Sequence, residues 1–165
     1  MIKKIISGGQ TGADQGGLDF ALEYGIEAGG WCPKGRICEN GVIPARYPVE
    51  EVEEDDYNLR TKQNVRDSDG TLLIIRDGLM EEGTHLTIDF CRDFSKPWFL
   101  VDLKVMSGQL ESIYSALADW TDKNRISVLN VAGNRESNSP GIQEETAALL
   151  ARFLADLTGQ PDSEG

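Results

Sequence analysis

The chain is 165 residues long, 39% hydrophobic, and sets 16 basic against 28 acidic side chains, a formal charge of -12. This is the length of one domain with its own core, and a charge that repels phosphate backbones, so no nucleic-acid partner is expected. Cys32, Cys38 and Cys91 lack the spacing of a zinc site or disulfide framework, and no signal-peptide core or membrane-spanning run is present, so a cytoplasmic protein with no metal and no membrane partner is expected.

In chain order, apolar runs at 2–7, 28–32, 70–75, 97–102 and 126–132 have the composition of buried strands. They are mostly apolar throughout rather than alternating, the pattern of a parallel sheet covered on both faces. Between them, 14–24 places Leu18, Ala21 and Leu22 at helical spacing and stops at Gly25. Segments 56–66, 83–94, 107–121 and 140–157 read as helices in the same way, the last with Pro140 in its first turn. The alternation predicts an α/β fold: a doubly wound, mostly parallel sheet of about five strands with helices on both faces. One domain over 1–158 is expected, with 159–165 as a frayed tail. Segment 33–56 holds three of the six prolines and the acid run from Glu50 to Asp56, and is predicted to be a long surface connection with its acids solvated.

In an open α/β sheet, ligands bind beyond the carboxyl ends of the strands, so the residues after each run bear most on function. After the first run comes Gly8-Gly9-Gln10-Thr11-Gly12-Ala13-Asp14, a glycine-rich turn opening a helix whose free N–H groups attract an anion. Its GGxxG spacing matches neither the GxGxxG of dinucleotide folds nor a Walker A loop. A plain strand-to-helix turn with Asp14 as its N-cap is the alternative. After the second run, Lys34-Gly35-Arg36 sets two cations around a glycine, either to neutralise a phosphate or to solvate a loop. After the third, Glu82-Gly83-Thr84 starts a helix with a hydroxyl beside free N–H groups, and His85 follows with no evident partner. Between these, Arg60 and Asn64 share one helix face, turned either to the site or to solvent. After the fifth run, Gly133-Asn134-Arg135 and Ser139-Pro140-Gly141 form another polar helix entrance, with Glu136 and Glu144 nearby as candidate acids or ordinary dipole complements. Three such helix starts and two cation-bearing loops at one sheet edge predict a site for a phosphate-bearing small molecule.

Five segments in order, SGGQTGADQGGLDFA, GWCPKGR, RTKQNVRDSDGTLLI, EEGTHLT and AGNRESNSPGIQEET, resemble the molybdenum cofactor carrier family, a circularly permuted branch of the superfamily that includes the LOG, or lysine-decarboxylase-like, proteins. The resemblance implies a Rossmann-like fold, molybdenum cofactor (molybdopterin) or otherwise a nucleotide as ligand, and a homo-oligomer, dimer or tetramer. LOG enzymes release the base from nucleoside monophosphates with a PGGxGTxxE motif. Here Gly83-Thr84 is followed by His85-Leu86-Thr87 with no Glu, and Pro140-Gly141-Ile142 lacks the Gly-Thr pair. The expected function is therefore a binding protein. Gly8, Gly9, Thr11 and Gly12 would form one phosphate cradle and Gly83, Thr84, Ser139 and Gly141 a second, with Lys34, Arg36 and Arg135 balancing charge. A LOG-like phosphoribohydrolase using Glu136 or Glu144, and a nucleotide sensor without turnover, are the alternatives.

Overall fold

The computed structural model describes residues 1–56, 58–106 and 108–158. In chain order the elements are β1 (Lys4–Ile6), α1 (Ala13–Tyr24), β2 (Glu27–Gly29), β3 (Trp31–Cys32), β4 (Ile37–Cys38), β5 (Gly41–Val42), β6 (Glu50–Glu51), α2 (Leu59–Asp67), β7 (Gly70–Ile75), α3 (Glu82–Asp93), β8 (Trp98–Asp102), α4 (Leu103–Met106), α5 (Leu110–Lys123), β9 (Val128–Gly133) and α6 (Ile142–Thr158). Five strands form one sheet in the order β2-β1-β9-β7-β8, with every neighbouring pair parallel. Parallel strands need crossovers, and right-handed crossovers put α1, α5 and α6 on one face and α2 and α3 on the other, each group packed together. This is the Rossmann-like α/β fold that the alternation of runs predicts. Among the described residues, no helix is long and apolar enough to cross a membrane.

Side chains alternate along each strand, and the alternation makes the two faces of this sheet unlike. Ile5, Leu72, Ile74, Leu129 and Val131 join Phe20, Leu117, Leu150 and Phe153 in the main core, on the side of α1, α5 and α6. Thr71, Asn130 and Ala132 alternate with them, toward α2 and α3. Arg60, Asn64, Thr84 and Thr87 are buried on that side as well. Polar groups buried without partners are costly, so this face does not close into a dry layer. The cleft described below opens there.

Segment 33–56 differs from the surface connection predicted. The run at 28–32 breaks at Gly30, whose carbonyl accepts the Glu50 N–H at 2.8 Å, so β3 leaves the main sheet and pairs with β6. Cys32, Cys38, Ile43, Tyr47 and Val49 then pack with Leu18 into a second core. The Arg36 guanidinium ties this unit together, donating to the carbonyls of Val49, Pro44 and Tyr47 at 2.9, 2.9 and 3.0 Å. The acids from Glu50 to Asp56 are exposed as expected, with Val52 buried among them. The helix expected from residue 107 begins at Leu110, and the predicted tail, 159–165, lies outside the described residues.

Candidate functional site

At the carboxyl edge of the sheet, the loops after β1, β7 and β9 and the start of α2 enclose a cleft of about 610 Å³. Its floor is the turn after β1. A side chain on Gly8 would come within 2.7 Å of Arg60 Nη1 and 3.0 Å of Asp14 Oδ2, so the bare backbone there makes room for an ion pair. Arg60, reaching in from α2, donates to the Gly8 carbonyl at 3.2 Å and stands 3.9 Å from Asp14 Oδ2, both side chains being 11% exposed. Asp14 Oδ2 also accepts the Gln10 N–H at 3.2 Å. Burial pushes the Asp14 carboxyl up from 3.8 to about 6, against the opposing pull of the Arg60 guanidinium and the Gln10 N–H.

The rest of that turn holds loops together. Gly12 has a φ of +85°, and a Cβ there would overlap the Asn134 carbonyl and sit 2.7 Å from the Glu136 nitrogen, because the loop between β9 and α6 packs directly on it. Gly9 packs against Ile43. The Thr11 hydroxyl bonds the Glu39 carboxylate, which also accepts the Ser137 N–H and hydroxyl at 3.2 and 2.6 Å.

The opposite wall is the start of α3. Glu81 precedes the helix but turns its carboxylate toward the next loop, accepting the Arg135 N–H at 3.0 Å and the Asn138 side-chain amide at 3.2 Å. No side chain caps α3, so the N–H groups of Glu82 and Gly83, two residues that line the cleft, have no helical carbonyl to satisfy them. Thr84 is 3% exposed, and its hydroxyl is buried with no hydrogen-bond partner among the described residues. Leaving such a group unsatisfied costs about 1–3 kcal/mol, a cost that a ligand can remove.

Of the residues singled out in the sequence, Gly8, Gln10, Asp14, Gly83, Thr84, Gly133 and Arg135 line the cleft, joined by Arg60, Asn64 and His85. The others lie elsewhere. Lys34 is exposed, and the Gly35 N–H donates to Glu51 at 2.6 Å. Asn134 and Ser139 are buried and bonded to each other at 3.1 Å. The Pro140 carbonyl accepts from Arg76 at 2.7 Å. Glu136 accepts the N–H groups of Gly141 and Gln143 at 2.6 and 3.3 Å, capping the start of α6, and Glu144 is exposed on that helix, away from the cleft wall. The sequence reading missed Asn130 and Glu81. A polar side chain inside an apolar run was the signal for Asn130; Glu81 carried none. All three cysteines are buried, two of them in the second core. Among the described residues, no group of three or more His, Cys, Asp or Glu is placed to hold a metal ion.

No curated protein matches the chain. A crystal structure of a "putative molybdenum carrier protein" from Syntrophus aciditrophicus SB is 45% identical to it, with a TM-score of 0.87 over 93% of this chain and 96% of that one. The model of the circularly permutated YpsA SLOG family matches residues 5–154, nearly all of the sheet and its helices. The chain therefore belongs to the circularly permuted YpsA branch of the SLOG family.

Proposed function

We propose that the cleft binds a phosphorylated small molecule and that the protein is a carrier of molybdenum cofactor. One observation carries the reading: the Thr84 hydroxyl, buried and without a partner among the described residues, at the uncapped start of α3, beside N–H groups suited to a phosphate. Arg60 and Arg135 line the same cleft and supply local positive charge within a strongly acidic chain. The name of the Syntrophus protein supports the choice of ligand. Binding ranks above a LOG-like hydrolysis because Glu136 is engaged in capping α6 and Glu144 stands outside the cleft wall.

The test is an anaerobic equilibrium titration with molybdenum cofactor, run on the wild type and on Thr84→Val. Valine has nearly the same shape and lacks the hydroxyl, so the ligand-free variant should be at least as stable while binding falls roughly tenfold or more. Equal affinity in the two proteins would remove the phosphate from this place. No binding by a folded wild type would end the carrier reading.

A further inference from the structure

The anion end of the cleft is at α3, and the hydrogen-bonding groups on the floor indicate what the rest of a ligand must carry. Most polar atoms there are already engaged. The Asn64 side chain accepts from the Trp31 N–H at 2.8 Å and donates to the Trp31 carbonyl at 2.9 Å. The Gln10 side-chain oxygen Oε1 accepts the N–H groups of Thr11 and Glu39 at 3.0 and 2.9 Å, and the Thr87 hydroxyl donates to the Gly83 carbonyl at 2.7 Å.

Among the buried side chains of the described residues in the cleft, two carbonyl or carboxylate acceptors are left over. The Asn130 side-chain N–H donates to the Thr71 hydroxyl at 3.1 Å. With its nitrogen so engaged, the amide leaves Asn130 Oδ1 without a hydrogen bond among the described residues. Asp14 is held at Oδ2 by the Gln10 N–H and by Arg60, which leaves Oδ1 likewise without one. Both residues line the cleft, and with Asp14 ionised the two oxygens can only accept.

We infer that Asp14 Oδ1 and Asn130 Oδ1 receive a ring N–H and the adjacent exocyclic amino group of the ligand, so that the cleft selects the 2-amino-4-oxo pyrimidine edge shared by guanine and pterins; the inference rests on the phosphate-binding reading above. Guanine presents adjacent N–H and NH₂ donors on this edge. Hypoxanthine keeps the ring N–H alone, and adenine places a ring-nitrogen lone pair beside its amino group, which repels a carboxylate. Specificity of this kind comes chiefly from acceptors left unpaired by the wrong ring.

GMP, IMP and AMP carry the same ribose and phosphate, so calorimetric titrations of the wild type with the three isolate the ring edge. GMP should bind tightest and AMP weakest, by roughly tenfold to a hundredfold. Asp14→Asn keeps an acceptor for the Gln10 N–H but loses the charge, and should weaken GMP about tenfold or more while changing AMP little. Equal affinities for the three nucleotides, or a preference for AMP, overturn the inference and leave the phosphate site standing. If none of the three binds, molybdenum cofactor separates the failures. Bound alike by wild type and Asp14→Asn, it overturns the inference alone; bound tenfold or more weaker by the variant, it supports it. No binding of the cofactor either overturns both.

Discussion

Asp14 is a carboxyl group kept out of water at a cost to the folded state. Its pKa is raised from 3.8 to about 6 by burial, so between those values the folded chain holds a proton that the unfolded chain has released. The stability from that proton is fully present below about pH 4 and lost as pH rises through about 6, a swing on the order of 3 kcal/mol. Asp14→Asn carries no such charge at any pH. The stability difference between variant and wild type should therefore grow in the variant's favour from pH 4 to pH 7, measured by urea unfolding at each pH. A flat difference would mean that Asp14 is not desolvated in the folded protein. A buried charge that costs stability yet sits on the cleft floor fits a binding role.

Among the elements, the turn between β1 and α1 does more than a cradle needs. Gly8 clears space for the Arg60–Asp14 pair, while Gly12 lets the β9–α6 loop lie against the backbone. These roles predict unequal costs at two glycines with positive φ, Gly12 in an extended conformation and Gly25 in the left-handed helical one. Gly12→Ala puts a methyl into the Asn134 carbonyl and should cost on the order of 4 kcal/mol, the range reserved for severe local clashes. Gly25→Ala, with a φ of +69° and nothing within 4 Å of its Cβ, should cost only the left-handed penalty of about 1–2 kcal/mol. Equal melting temperatures for the two variants would contradict the packing of the loop on Gly12. The glycine pattern was legible in the sequence, but its division of labour was not, because what presses on Gly12 lies more than a hundred residues downstream. Arg36 shows the same limit: two cations on a loop look alike in sequence, and only the fold turns one guanidinium onto three carbonyls.

For the whole molecule, the formal charge of -12 opposes the approach of an anion that Arg60 and Arg135 attract only at close range. Screening shortens the repulsion to about 8 Å at physiological ionic strength. Association with a phosphorylated ligand should accordingly speed up severalfold as salt rises from low to physiological levels, read by stopped-flow mixing, whereas a site steered by its own cations would slow down. The cleft owes its place to the sheet's two unlike faces: apolar side chains close the layer under α1, α5 and α6, and Thr71 and Asn130 keep the other face polar.

The sequence by itself determined the class of fold, the positions of the main strands and helices, and the sheet edge at which polar, glycine-bearing turns gather, because these depend on local composition and on periodicity along the chain. The tertiary structure alone decided that β9 lies between β1 and β7, that segment 33–56 folds into a second core, and that Asp14, Arg60, Thr84 and Asn130 share one cleft. Those outcomes depend on which distant segments meet, and on which polar atoms find partners within the protein and which remain for a ligand. Neither is written in the spacing of residues along the chain.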